Sequence, residues 1–380
     1  MTTSPEEQAL FADASQVKLE RQQLNPADTA FAIQRGLTKA RIRRMTGHVQ
    51  LKWITAVLVT ALAAGWLLLG PLGSSTPQQA TYSAPTQYWG VLEPFRELAE
   101  KDVEGNTIAS AINNGYVQLV NRSVKSGIYQ LTVNAVMADE NKMIVLYTAQ
   151  TDASQELYSV PKTDMVNGMT NQSLGNGGIS SLYSSNGKYT LYGRSTVEMD
   201  GNTPLPGQVK FNFRISSVVP DLLTDTNKVK KDTIYQFSKP MEVSFDLDPK
   251  FSVPKTERIK LNQLFTIGGH EVLLSEAEVS PLMTRVRFIY EPDQKMDYKT
   301  KLSISDVVNP IEIVSTTKDG QKTKLSRVSG NGTEDGMIYS FSSNLLDDPQ
   351  SLVLKLRGEP GKVYDDLQEA EKHMLELKIK

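Results

Sequence analysis

The sequence predicts a mainly β protein: short cytosolic helices, one transmembrane helix, and two extracytoplasmic β-sandwich-like domains. Three observations predict it. Trp53–Gly70 (WITAVLVTALAAGWLLLG) runs eighteen residues without a charge. Beyond Tyr116 apolar and polar residues alternate in short runs, the period of half-buried strands. Turn dipeptides such as Asn186-Gly187 and Asp319-Gly320 interrupt those runs, as hairpins require.

Residues 1–52 open with Ser4-Pro5-Glu6-Glu7, a capping-box spacing with proline at the first helical position. Leu10, Ala14, Val17 and Leu24 then lie near one face. Asn25-Pro26 restarts the signal, and Ala30, Ile33, Leu37 and Ala40 follow at helical spacing. Helices this short are marginal alone in water. The segment is therefore either a tethered tail or a piece that folds onto a cytosolic partner, laying its Ile33 and Leu37 stripe into a groove.

At about 1.5 Å per residue the apolar run spans roughly 27 Å, and about 30 Å if carried to Leu72, the hydrocarbon thickness of a bilayer. This places a membrane helix at 53–72. Arg35, Lys39, Arg41, Arg43, Arg44 and Lys52 precede it, with no acid after Asp28, and the first charge beyond it is Glu93. The positive-inside bias puts the N-terminus in the cytoplasm, and the same basic residues can attract anionic membrane lipid. A cleaved signal peptide is the competing account, but 52 residues is far longer than a signal peptide's charged n-region.

Residues 73–92 form a linker, because Pro71–Pro85 is uncharged and rich in Gly, Ser, Thr, Gln and Pro. Short helices are expected over Phe95–Asp102 and Thr107–Asn113, the second closed by Asn114-Gly115. Val209, Phe211, Phe213 and Ile215 mark one strand, as do Met241, Val243, Phe245 and Leu247, then Val286, Phe288 and Tyr290, then Leu352, Leu354 and Leu356. So many strands exceed one sandwich, so domains are expected at 93–220 and 232–361, followed by a C-terminal segment 362–380 that reads equally as helix or strand. Asn121–Tyr147 and Asn262–Tyr290 share an Asn, a Gly turn, an alternating strand, a break and a second strand ending in Tyr. The echo points to a duplicated meander whose second copy is two residues longer.

Eight basic and five acidic side chains fall in residues 1–52, against 33 and 38 in the rest, so neither part reads as a direct nucleic-acid binder. With no cysteine, neither disulfides nor thiolate metal sites exist. His48, His270 and His373 sit in separate segments, and no nucleophile elbow, zinc-protease, P-loop or Rossmann pattern occurs. Asp246-Leu247-Asp248 and Glu198-Met199-Asp200 lack calcium-loop spacing and read as strand-end and turn acids. No enzyme activity, metal or cofactor is expected.

The string NPADTAFAIQRGLTKARIRRM, Asn25–Met45, resembles the short cytosolic motif of membrane-anchored anti-sigma factors of Gram-positive bacteria, with Ile33, Gly36 and Leu37 as its core. IASAINNGYVQLVNRSV, Ile108–Val124, and the strand pair after it look like the start of the extracytoplasmic domain that accompanies this motif; Asp232–Gly361 is similar to the β-domain that often follows. The resemblance implies a zinc-free regulator that holds an extracytoplasmic-function sigma factor at the membrane until an envelope signal, often through proteolysis, releases it. Envelope proteases would then be further partners, and Ala30, Phe31, Ile33, Gly36, Leu37 and Ala40 the partner-binding residues. A membrane-anchored surface module that contacts cell wall or polysaccharide is the alternative, with Tyr183, Tyr189 and Tyr192 as candidate ligand-facing residues.

Overall fold

The computed structural model describes residues 88–183, 188–199, 204–220, 235–291, 298–357 and 373–380. The expected cytosolic helices, the segment 53–72, the linker up to residue 87 and Asn186-Gly187 lie outside these. Among the described residues no helix is long and apolar enough to cross a membrane. Pro85–Lys380 forms one compact unit.

Folded structure begins before residue 93. Gly90–Phe95 is a 3-10 helix, and Trp89, Leu92 and Phe95 are buried, so the linker ends ahead of Trp89. Helices α1 (Arg96–Lys101) and α2 (Gly105–Asn113) follow close to the expected bounds. The turn between them is so tight that a Cβ on Gly105 would meet the Ala99 carbonyl oxygen at 1.7 Å. Gly115, in the left-handed region at φ +67°, ends the helical segment as its position suggested.

The strands are β1 (Gln118–Ser126), β2 (Tyr129–Ala138), β3 (Lys142–Gln150), β4 (Glu156–Asn167), β5 (Asn176–Tyr183), β6 (Thr190–Glu198), β7 (Gln208–Val218), β8 (Gln236–Phe237) and β9 (Met241–Asp246). They build a five-stranded antiparallel sheet, β1-β2-β3-β6-β5, and a smaller one in which β7 pairs with β4, β8 and β9. The inward faces meet in one core, where the Tyr147 ring lies 6.1 Å from Phe211 and Tyr129 shares a 2.7 Å hydrogen bond with Ser217.

The chain then forms β10 (Glu257–Ile267), β11 (His270–Val279), β12 (Thr284–Tyr290), α3 (Tyr298–Val307), β13 (Pro310–Thr317), β14 (Lys322–Gly332), β15 (Gly336–Phe341), β16 (Pro349–Arg357) and β17 (Met374–Lys378). These make one eight-stranded antiparallel sheet, β10-β11-β12-β15-β14-β13-β16-β17. Strand β14 pairs with β13 through Lys322–Ser326 and with β15 through Arg327–Gly332, so the sheet folds over along it. Its two end strands meet: Gln263 donates to the Lys378 carbonyl at 2.7 Å, and Lys380 pairs with Glu257. Ile304 and Val308 join the enclosed core.

The two halves repeat one topology. Strand order β1-β2-β3-β6-β5 matches β10-β11-β12-β15-β14, and β4-β7-β9 matches β13-β16-β17. The register is repeated as well, at a constant separation of 141 residues over the first three strands. Arg122 faces Val133 and Val133 faces Tyr147, as Gln263 faces Leu274 and Leu274 faces Phe288. Both first strands bulge at an asparagine with positive φ, Asn121 at +48° and Asn262 at +47°, and both second strands slip after the same residue, Val133 and Leu274. The echo is thus a duplication, but without the two extra residues: Tyr147 corresponds to Phe288, and Tyr290 to Ala149.

Two further expectations are corrected. The first core reaches beyond residue 232: Met241, Val243 and Phe245 of β9 turn into it beside β7, and Leu247 and Phe251 join the same cluster. The turn at Asp319-Gly320 has positive φ only at Gly320, +84°, and closes through the Thr317 N–H to the Gln321 carbonyl, so it is a three-residue loop and not a type I′ turn. The described part of the ambiguous C-terminal segment is strand β17, paired with β16.

Candidate functional site

Ala30, Phe31, Ile33, Gly36, Leu37 and Ala40 lie outside the described residues, so the structure does not bring them together. What it does assemble is a polar seam between the two repeats. At the base of the seam the Asp139 carboxylate, fully buried, accepts N–H bonds from Asn141 and Lys142 on one oxygen and from Leu282 of the second repeat on the other, at 2.8–2.9 Å. Burial pushes its pKa up, against the opposing pull of the Ser280 hydroxyl and these backbone donors. Glu140 accepts from the Lys255 and Thr256 N–H groups of the connecting segment, and Asn141 bridges Thr256 and Arg285.

Helix α2 fastens the same seam from its other side. Thr107 accepts from the Ser343 N–H at 2.7 Å, Ser110 and Asn114 donate to Asp347 at 2.8 Å, and Asn106 donates to the Lys324 carbonyl. Beneath the helix Lys142 and Glu104 form an ion pair at 3.0 Å with both side chains fully buried, and Arg194 pairs with Asp102 at 2.7 Å. A buried pair of this kind adds little net stability, yet removing one partner costs roughly 3–5 kcal/mol by stranding the other charge.

Above the seam two adjoining clefts of ≈ 480 and ≈ 430 Å³ share Glu198, Arg285 and Asn331. Glu198 accepts from Ser329 and Ser340, Arg285 donates to the Met199 carbonyl, and Arg287 reaches Asp335 at 3.0 Å. Burial works against ionisation of Asp335, but the Thr333 hydroxyl and Arg287 outweigh it and hold the carboxyl below its ordinary range. The side-chain amides of Gln172, Asn176 and Asn331 line this space without a hydrogen bond to another described residue. Such a surface offers donors and acceptors to a polar ligand. Among the described residues no three His, Asp or Glu side chains converge as metal ligands. His270 lies 3.1 Å from Glu291, a single pair.

The sequence alone noted Glu198 only as a strand-end or turn acid and Asn331 only as the start of a glycosylation-acceptor triplet, and it singled out neither Arg285 nor Asp139. Asp139, Glu198, Arg285 and Asn331 come from segments more than forty residues apart, and no local pattern links them.

Comparison with known proteins adds little to these contacts. No curated protein matches the chain. A solved structure described as the conserved domain protein from Bacillus anthracis is 13% identical, with a TM-score of 0.43 over 70% of this chain and 90% of its own. Residues 50–151, from the apolar run through β3, match the family model of a domain of unknown function, DUF4179, which is known in membrane proteins resembling anti-sigma factors.

Proposed function

We propose that the protein is a single-pass membrane anti-sigma factor. Residues 1–52 sequester an extracytoplasmic-function sigma factor in the cytoplasm, 53–72 anchor the chain in membrane lipid, and the paired β-repeats stand outside, where an envelope signal triggers release. The observation that carries this reading is the order along the chain: the Ile33, Gly36 and Leu37 core, a basic flank, then an uncharged run at which the DUF4179 match begins. Apolar burial supplies the affinity. Burying Ile33 and Leu37 contributes about 1.5–3 kcal/mol each, roughly two to four decades of affinity together.

The test is co-purification of the sigma factor with the full-length chain. Leu37→Asp should lower its recovery at least tenfold while membrane fractionation is unchanged; undiminished recovery would overturn the binding mode. The amide-lined cleft favours a second reading, a surface module that contacts wall polysaccharide. That reading predicts retention on isolated cell wall that Leu37→Asp does not affect and Asn331→Ala reduces.

A further inference from the structure

The duplication allows the two sheets to be compared face by face. In each repeat one face of the sheet turns into the apolar core and the other turns outward. On the outward face of the first repeat, Ala135, Met137, Ile144 and Leu146 are fully buried. What covers them is the helical segment ahead of β1. On that same face Lys142 pairs with Glu104, Arg194, opposite Leu146, pairs with Asp102, and Tyr192 packs edge-on against Phe95. In the second repeat the register equates those four apolar residues with Glu276, Glu278, Arg285 and Arg287. All four line the ≈ 430 Å³ cleft, with Ile338 and Ser340 beside them. The face that is roofed in the first repeat is open in the second, and charged side chains have taken the apolar positions.

Of the charged side chains that line the two adjoining clefts, all but one are paired. Arg285 lies 3.7 Å from Glu278, and Arg287 lies 3.0 Å from Asp335 and 3.8 Å from Glu276. The exception is Glu198, half-buried in the wall that both clefts share. Among the described residues no basic side chain comes within 4.0 Å of its carboxylate. Its side-chain partners are the Ser329 and Ser340 hydroxyls, at 3.2–3.4 Å. Hydroxyl-to-carboxylate bonds run nearer to about 2.5–2.7 Å, so both are weak, and the carboxylate keeps free acceptor sites toward the clefts.

We propose that this site binds a primary ammonium group carried on a hydrogen-bonding body, with Glu198 as its counter-ion. An anion would add to the unpaired charge, and a neutral ligand would bury it uncompensated. An ammonium brings donors alone, one for Glu198 and others for the side-chain carbonyl of Asn331. The free amides of Gln172 and Asn176 and the adjoining ≈ 480 Å³ space receive the rest of the molecule. A divalent cation would need several oxygen ligands from carboxylates, and no three His, Asp or Glu side chains converge among the described residues. The chemistry required is shared by the N-terminus of a short peptide and by an amino sugar. It differs from contact with neutral polysaccharide, which would use the amides and leave Glu198 unpaired, and it does not depend on the cytosolic motif.

The test uses the full-length chain in detergent and two probes, alanyl-alanine amide and glucosamine, each beside its N-acetyl form. Binding is followed by ligand-observed NMR at about pH 6.5, where amines of this kind are protonated. At least one amine should bind saturably, and its N-acetyl form roughly tenfold more weakly, because acetylation removes the charge. The tighter amine identifies the source, peptide or sugar. Glu198→Gln should weaken amine binding by roughly the same factor, whereas Glu312→Gln, outside the cleft lining, should leave it unchanged. Asn331→Lys, an exposed change that brings the chain's own ammonium into the cleft, should abolish amine binding and decides the matter if the glutamine variant at 198 does not fold. No saturable binding of either amine, N-acetyl forms that bind as tightly, or amine binding unchanged in Glu198→Gln or Asn331→Lys would each overturn the proposal.

Discussion

Asp139 shows how one side chain can join two repeats. It receives N–H bonds from its own turn and from Leu282, and burial raises its pKa above the ordinary 3.8. The folded chain therefore holds this proton more tightly than the unfolded chain does. By linkage the group's contribution to stability is greatest at low pH, falls as the pH rises from about 3.8 through the raised value, and is level above it. Asp139→Asn removes that slope and leaves one N–H facing an amide NH₂, at a cost of roughly 1–3 kcal/mol. Urea midpoints of wild type and variant, taken stepwise from pH 3.5 to 7, should differ by an amount that changes with pH in that direction; a constant difference would show that Asp139 does not titrate differently on folding. None of this is readable from the string Ala138-Asp139-Glu140-Asn141, which looks like an ordinary polar turn.

At the scale of elements, strands with one buried face were legible from their alternation, whereas β3, buried on both, was legible only as the second strand of the echo that ends at Tyr147. Strands β7, β9, β12 and β16 alternate because one side meets a core and the other meets water. Strand β3 is buried at every residue except Gln150, so its apolar run lacks a period. Strand β6 hides its logic differently. Gly193 pairs with Tyr147, and a Cβ there would sit 2.4 Å from the Tyr147 ring carbon Cζ. The ring is fully buried, so it has nowhere to swing. Gly193→Ala should therefore cost about 1–3 kcal/mol and lower the melting temperature, whereas Gly178→Ala, in open space one strand away, should not. Equal melting temperatures for the two variants would contradict this packing. The bulges at Asn121 and Asn262 were equally hidden, since a single left-handed residue leaves no periodic trace, although the asparagines themselves marked the repeat.

Across the whole molecule, the sequence revealed the duplication but not what the two copies share. The echo came from strand patterning, which survives divergence because each copy must bury the same face. The seam did not, because Asp139, Glu198, Arg285 and Asn331 gain their meaning only when distant segments meet. The cytosolic motif is the reverse case, legible as a string and lying outside the described residues. Helix α2 is made early in synthesis, yet its bonds to Ser343 and Asp347 span 236 and 237 residues. Such long-range closure is slow and comes late. A nascent chain halted before Ser343 would hold its first sheet but leave α2 half fastened. Chains truncated after Tyr339 should thus be clipped by added protease between Gly90 and Gly115, where the full-length protein resists; equal resistance would place the stability of α2 in the first repeat alone. The security of α2 therefore waits on the segment that follows β15, so its resistance to protease reports whether the second repeat has folded.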